Sequence, residues 1–340
     1  MTPILPPPDP LPEKAVMERT IASLEERLAQ GWRVNEPPRS VIDMESGQLL
    51  LMAGWDGEAL GVKVITVRPD GGSPEIPHVQ GVYLLFDLPR LAPTLTLDAR
   101  FLTTLRTPAV SAVATRHLSP DRPSRLVVFG TGPQAAGHIL AMHCVREIRS
   151  VTVVARDRRK AESFVATMAQ RGFTVRSAGA EAVAEADIVC TCTTSTTPVF
   201  DGRLLREDAH VNAVGSHDPE ARELDDATFE GSLVVVESVD AALREAGDVI
   251  LARRSGSLPA SEPLHELAHV VQGLQTVGRP RRTIFKSVGT AGQDLVAAQS
   301  LRKEGLLDAA QLRLGSSWAG DGPAGRGSSI SDLRRLGGES

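Results

Sequence analysis

Residues 126–157, LVVFGTGPQAAGHILAMHCVREIRSVTVVARD, constrain the fold more than any other stretch of the chain. Residues 126–129 form a short apolar run, as a strand buried in a parallel sheet does. Gly130-Thr131-Gly132-Pro133-Gln134-Ala135 follows, then apolar residues at helical spacing, then a second apolar run over residues 151–154. Strand, glycine turn, helix and strand in that order make a βαβ unit with a dinucleotide-binding fingerprint. Gly130 permits the tight turn. Gly132 lacks a Cβ, so the backbone can approach a pyrophosphate, and Ala135 takes the third, helix-packing position. The start of the helix then points its free N–H groups at the phosphates.

The residues that follow the second strand should meet the adenosine ribose. An acidic residue there takes the 2′-hydroxyl of NAD, whereas an arginine accommodates the 2′-phosphate of NADP. The chain offers Ala155, Arg156 and Asp157, then Arg158, Arg159 and Lys160. Arg156 favours NADP(H) and Asp157 keeps NAD(H) open. The three cations after them read as a solvated first helical turn.

With 340 residues, the chain is long enough for two domains with a sizeable core. A net charge of −5 leaves no basic footprint for nucleic acid, and at 4% aromatics there is no base-stacking platform. No apolar run approaches a membrane span, and the proline-rich start lacks an apolar signal core. Of the three cysteines, Cys190 and Cys192 alternate in a strand-like run, as small buried hydrophobes do. There is no zinc spacing and no disulfide framework, so no metal is expected and a reducing cytoplasm fits.

Six prolines within residues 1–12 predict an extended arm. Residues 13–30 show helical spacing, stopped by Gly31. Strand texture fills residues 39–97, punctuated by Gly and Pro turns, and predicts an antiparallel or mixed sheet. Residues 101–118 read as a helix and 119–124 as a linker. Beyond the fingerprint, the alternation continues with a helix at 159–171 and strands at 174–176, 187–191 and 211–214. Residues 233–237 and 283–287 read as the last strands, and a helix over 291–302 is expected to return to the first domain. Residues 316–340, rich in Gly and Ser, read as a flexible tail.

Three cations of the first part suit a carboxylate-bearing substrate: Arg39, Lys63 and Arg106. Lys63 sits inside an apolar strand, where alternation places it on one face with Gly61 and Ile65. Arg grips a carboxylate through two parallel hydrogen bonds and Lys adds a point charge. Each could equally be a surface cation whose stem packs on apolar neighbours.

Several blocks, in order, resemble the ornithine cyclodeaminase/mu-crystallin family over residues 39–298. They are Lys63 in its strand, LTTLRTPAVSAVATRHL around Arg106, GTGPQA, and ADIV leading into a threonine loop. The second half adds VNAVGSHDPEARELDD, AALREAGDVILA and TIFKSVGTAGQDLVAA, and lies closer to the mu-crystallin branch, with its ketimine reductase activity and thyroid-hormone binding. The resemblance implies an α/β fold. A Rossmann NAD(P)-binding domain (residues 123–288) would be joined to an α+β substrate and dimerisation domain (residues 1–122), completed by a C-terminal helix (289–315). It implies a homodimer. Arg39, Lys63 and Arg106 would hold the substrate carboxylate, with Val288 beside it. Arg106 and Thr107 would also reach the cofactor. Thr131, Pro133 and Gln134 would line the pyrophosphate, and Ala155, Arg156 and Asp157 would surround the ribose. Thr193, Thr194, Val214 and Ser287 would complete the cofactor site.

The family's cyclodeaminases carry an Asp where this chain has His217, and a Glu at the position of Leu50. These departures favour an NAD(P)H-dependent reductase of a carboxylate-bearing imine, such as pyrroline- or piperideine-2-carboxylate, giving an amino acid. Lys63 or His217 would supply the proton. The alternatives are an ornithine cyclodeaminase using NAD catalytically, an alanine- or opine-like amino acid dehydrogenase, and a non-catalytic protein that binds NADPH and a small molecule.

Overall fold

A computed structural model describes residues 11–72, 77–276, 278 and 281–303. The expected arm up to residue 10 and the expected tail at 316–340 lie outside the described residues. The chain opens with α1 (Lys14–Ala29), which buries Met17, Thr20, Ile21 and Leu24, one stripe at helical spacing. Five antiparallel strands follow as a meander: β1 (Ser40–Met44), β2 (Gly47–Trp55), β3 (Ala59–Gly72), β4 (Pro77–Asp87) and β5 (Ala92–Asp98). Period-2 alternation gives this sheet a buried face carrying Leu50, Met52, Lys63, Tyr83, Leu85, Leu95 and Leu97.

Asp98 ends β5 and caps α2 (Ala99–Leu118), its carboxylate accepting from the amides of Arg100 and Phe101. α2 is buried nearly all round and runs between the two sheets' territories, packing on α1, on α3 (Pro133–Val145) and on β4. Its approach to α3 is close: a Cβ on Gly137 would lie 2.7 Å from the ring of Pro108.

The second sheet is parallel throughout its registered pairs. Its strands are β6 (Ser124–Phe129), β7 (Ile148–Val154), β8 (Val175–Ser177), β9 (Ile188–Thr191), β10 (His210–Ala213), β11 (Leu233–Val236), β12 (His265–Glu266) and β13 (Thr283–Lys286). They lie in the order β12-β11-β13-β10-β9-β6-β7-β8. From β6 the chain winds outward through β7 and β8, then returns to place β9 on the other side of β6. That reversal is the switch point at which doubly wound sheets bind ligands. α4 (Arg158–Gln170) connects β7 to β8. The later crossovers contain α5 (Asp226–Phe229), α6 (Val239–Glu245), α7 (Gly247–Ser255) and α8 (Leu267–Val271).

β13 is not the edge its place in the chain suggests; it inserts between β10 and β11. The sheet also carries one strand beyond those the sequence texture showed, the two-residue β12, which is too short to leave a periodic signal. α9 (Ala291–Lys303) returns to the first sheet as expected and packs on α1, α2, β2 and β3. Its first residue comes so close to β2 that a Cβ on Gly54 would lie 3.0 Å from that of Ala291.

Candidate active site

The glycine turn lies at the switch point. Gly130 has φ +111°, and a Cβ there would stand 2.6 Å from the carbonyl oxygen of Cys192, at the end of β9. Only glycine fits this crossing. Gly132 caps α3 without a side-chain hydrogen bond, and a Cβ on it would meet nothing within 4 Å. The helix start therefore carries no side-chain cap, and the turn leaves room at Gly132 for a pyrophosphate to approach. Pro133 takes the first helical position, where its missing N–H costs nothing, and Ala135 is fully buried. Gln134 donates to the carbonyl of Thr103 on α2, while its own side-chain oxygen is buried with no partner among the described residues. These residues fit a dinucleotide. A cavity of about 370 Å³ between α3 and α4 shares Thr131, Gly132 and Pro133 with the turn, but neither Lys63 nor Arg106 lines it.

At the end of β7, Ala155 is half-buried and Arg156 and Asp157 are exposed. Asp157 caps α4, accepting from the amides of Arg159 and Lys160. Arg158, Arg159 and Lys160 are exposed, as a solvated first turn should be.

Two loops at the carboxyl ends of β9 and β10 are tied together from below by one buried acid. Glu223 accepts from the amide and hydroxyl of Thr193 at 2.8 and 2.7 Å, from the Thr191 hydroxyl at 2.8 Å and from the Gly215 amide at 2.7 Å. Burial raises its pKa. Asp248 accepts from the amides of Glu223 and Leu224 and pairs with Lys286 at 2.8 Å, both side chains being fully buried. Lys286 also donates to the carbonyl of Ser216 at 2.6 Å. Val214 is half-buried above this network and Thr194 is exposed. The cysteines are all free, and burial pushes Cys190 up to about 12, so it is an inert small hydrophobe.

The clamp of cations forms where α9 meets β3 and α2. Lys63 is 1% exposed, and its Nζ lies 2.7 Å from Asp294 Oδ2. Arg106 donates from Nε to the other oxygen of Asp294 at 3.0 Å and from Nη1 to Gln293 at 3.1 Å. Its guanidinium packs over Gly289, where a Cβ would lie 2.4 Å from Nη1. Thr107 is buried beside it. Burial lowers the pKa of Lys63 to about 8, with Asp294 opposing the shift and Arg106 adding to it.

Arg39 reaches the same loop from the other side. Its Nη2 donates to the carbonyls of Val288 and Gly289 at 2.8 and 2.9 Å, and its Nε pairs with Glu245 at 2.8 Å. Glu237 holds the loop from beneath, accepting from the Ser287 hydroxyl, the amides of Val288 and Gly289, and Gln293. The hydroxyl of Ser287 thus points at Glu237. His217 is exposed on the loop after β10. Protein still surrounds its ring on the inner side, and this desolvation, with Arg39 and Lys286, lowers its pKa to about 4. The exposed area decides what the ring can meet; the low pKa makes it neutral.

Sequence reasoning found the cations and missed every acid that organises them. Asp294 was open to discovery, being the one charged residue of α9 before Arg302. Glu223, Glu237 and Asp248 carry no such signal, because their roles depend on contacts across the fold.

The comparisons with known proteins agree with this architecture. A family model described as the ornithine cyclodeaminase/mu-crystallin family matches residues 11–307. A Delta(1)-pyrroline-2-carboxylate reductase of Bacillus cereus is 38% identical over 252 residues, covering 72% of this chain and 77% of the relative. The ketimine reductase mu-crystallin of Mus musculus is 34% identical over 270 residues, covering 78% and 84%. The structure of Thermococcus litoralis Delta(1)-pyrroline-2-carboxylate reductase in complex with NADH and L-proline superposes with a TM-score of 0.79. It shows 32% identity over 87% of this chain and 94% of that one. With the family model matching residues 11–307 and these relatives covered over more than two thirds of this chain, the chain belongs to the ornithine cyclodeaminase/mu-crystallin family.

Proposed function

We propose that this protein is an NAD(P)H-dependent reductase that converts a cyclic imine bearing a carboxylate, such as pyrroline-2-carboxylate, to the corresponding amino acid. The observation that carries the reading is the convergence of Lys63 and Arg106 on one buried point beside the loop 287–289, at the carboxyl edge of the parallel sheet. Asp294 balances only one of these two buried positive charges, and the remaining charge fits a small carboxylate better than a neutral ligand. Bound nicotinamide would supply the hydride to the imine carbon. Arg39, Lys63 and Arg106 orient the carboxylate, Val288 borders the ring, and fixed orientation supplies much of the rate. Lys63 delivers or maintains the proton on the imine nitrogen. His217, its pKa lowered to about 4 by desolvation, is mostly neutral near pH 7, which favours Lys63 over it as the proton source.

Further features support details of the reading. Arg156 is exposed at the end of β7 with no side-chain partner among the described residues, whereas Asp157 is engaged as a cap; this favours NADP(H) over NAD(H). Arg106, Thr107, Thr131, Gln134, Ala155, Thr193, Thr194, Val214 and Ser287 complete the cofactor's surroundings. Leu50 is 3% exposed on the inner face of β2, so the acid that a cyclodeaminase would use is replaced by a core residue. The outer face of the first sheet is apolar. Leu49, Leu51, Val62, Val64, Val82 and Leu84 are only half-buried there, and on β1 Val41, Ile42 and Met44 are exposed. A face of this kind fits a second copy of the chain, hence a homodimer. We assign residues 1–122 with 289–315 to the substrate and dimerisation unit and 123–288 to the nucleotide unit, the packing of α9 on β2 and β3 supporting that division. Three free cysteines support a cytoplasmic location. No helix among the described residues is long and apolar enough to cross a membrane.

The test is NADPH and NADH oxidation on adding pyrroline-2-carboxylate, with wild type and Lys63→Ala. Oxidation that depends on Lys63 supports the reading. No oxidation by either coenzyme with pyrroline- or piperideine-2-carboxylate rejects it and leaves binding without turnover.

A further inference from the structure

The two inner cations of the clamp do not stand alone. Asp294 is 0% exposed and places one oxygen on each of them, 2.7 Å from Lys63 and 3.0 Å from Arg106. Lys63 comes from the first sheet and Arg106 from the central helix, so nothing in the local chain fixes their separation. Asp294 enters from α9, in that helix's first turn, and is the contact that brings the two together. The bridge leaves useful donors free. It engages the Nε edge of Arg106, Gln293 engages Nη1, and Nη2 has no acceptor among the described residues. Lys63 keeps two further N–H bonds beyond the one directed at Asp294.

We propose that Asp294 is a positioning residue that holds Lys63 and Arg106 as a single carboxylate-binding unit. The proposal rests on the reading of this clamp as the substrate's carboxylate site. Without Asp294, two buried cations would repel one another, and the less securely charged one would give up its proton. Lys63 is that one, since a guanidinium does not titrate in the accessible range. Among the described residues, the charged and titratable groups around Lys63 and Asp294 are Arg106 on α2, Arg39 before β1, Tyr83 on β4, Glu36 after α1 and Glu237 after β11. Glu36 caps α9 through the Gly292 amide, and Glu237 is saturated by the loop 287–289, so neither replaces the bridge. The Lys63 shift agrees, Asp294 being the strongest influence that keeps the proton on.

The experiment measures binding of pyrrole-2-carboxylate, a planar, non-reducible analogue of the cyclic imine, to the NADP⁺-saturated protein by calorimetry, near pH 7 and near pH 9. NADPH affinity by fluorescence serves as the control for a folded nucleotide site. Asp294→Asn keeps the shape and removes the charge. Its expected effect is a rise in Kd of roughly 10-fold or more near pH 7, as for loss of a charge-assisted contact. A further loss near pH 9 should exceed that of wild type, with NADPH affinity unchanged. A merely structural role lowers the melting temperature and leaves both Kd and its pH dependence at the wild-type values, which overturns the proposal. If Asp294→Asn does not fold, Asp294→Glu keeps the charge and shifts it by one methylene. A Kd at least about 5-fold above wild type supports simultaneous pairing with both cations, and a wild-type Kd refutes it. A wild-type protein that does not bind the analogue, or binds it equally after Lys63→Ala, rejects the clamp itself and with it this role. Analogue binding that needs Lys63 and ignores Asp294 rejects the positioning role alone.

Discussion

Raising the pH should switch the enzyme off through Lys63. Burial brings this lysine from 10.5 to about 8. Above that value each pH unit removes about nine-tenths of the remaining protonated form, so kcat/KM should fall about tenfold per unit. The same shift has a stability consequence of defined sign. The unfolded chain holds the proton up to about 10.5 and the folded chain only to about 8, so between these values the unfolded state binds more protons and stability rises with pH. The full effect is on the order of 3 kcal/mol. Activity and stability therefore move in opposite directions over one window, which no general alkaline denaturation would produce. The assay is initial-rate NADPH oxidation with pyrroline-2-carboxylate from about pH 6 to about pH 10, paired with thermal melts. Lys63→Arg is the decisive control, because a guanidinium does not titrate in this range. Its alkaline limb should disappear even if its rate is lower. A limb that stays near pH 8 in Lys63→Arg belongs to the imine substrate and refutes the assignment.

Three further outcomes follow from the geometry. Gly289→Ala imposes a side chain at φ +79° and 2.4 Å from Arg106 Nη1; kcat/KM for the imine should fall roughly 100-fold through displacement of the guanidinium, read by steady-state kinetics with NADPH affinity as control. Arg156→Ala should lower kcat/KM for NADPH by about 10-fold or more while leaving that for NADH within about twofold, so the coenzyme ratio is the readout. Leu84→Glu, on the apolar outer face of the first sheet, should convert a dimer to a monomer by light scattering, and an unchanged mass would remove that face as the interface.

How far the sequence carried depended on whether a feature was local. The βαβ unit was legible because strand, glycine turn and helix leave contiguous signals, and Gly130 and Ala135 occupy the positions their chemistry demanded. Lys63 was legible for a related reason: period-2 alternation put it on the face that proves buried. α9 was expected to return, and it does so with Leu295, Val296, Ala297, Ala298 and Leu301 buried. The insertion of β13 between β10 and β11 was not legible, since strand order in a parallel sheet is set by crossovers rather than by the strands. Short elements such as β12 and α5 lack the length for periodicity to register. The acids Asp294, Glu237, Glu223 and Asp248 were missed because each acts on groups far from it in sequence; Asp294 meets Arg106 across 188 positions. Charge alone marks such residues as surface, and only the fold turns them into buried partners. Arg39 shows the converse. Its place beside the loop 287–289 was legible, but its partners Glu245 and the carbonyls of Val288 and Gly289, which engage Nε and Nη2, were not.

The measurement closest to the central claim is label transfer. The protein would be given NADPH carrying deuterium at both C4 positions, together with pyrroline-2-carboxylate, and the product examined by mass spectrometry and NMR. The account predicts L- or D-proline carrying one deuterium at the α-carbon, with one NADPH consumed per proline formed. Unlabelled proline would contradict hydride transfer; no proline from the imine, with ornithine and NAD supplied instead giving proline and ammonia without net consumption of coenzyme, would return the protein to the cyclodeaminase reading.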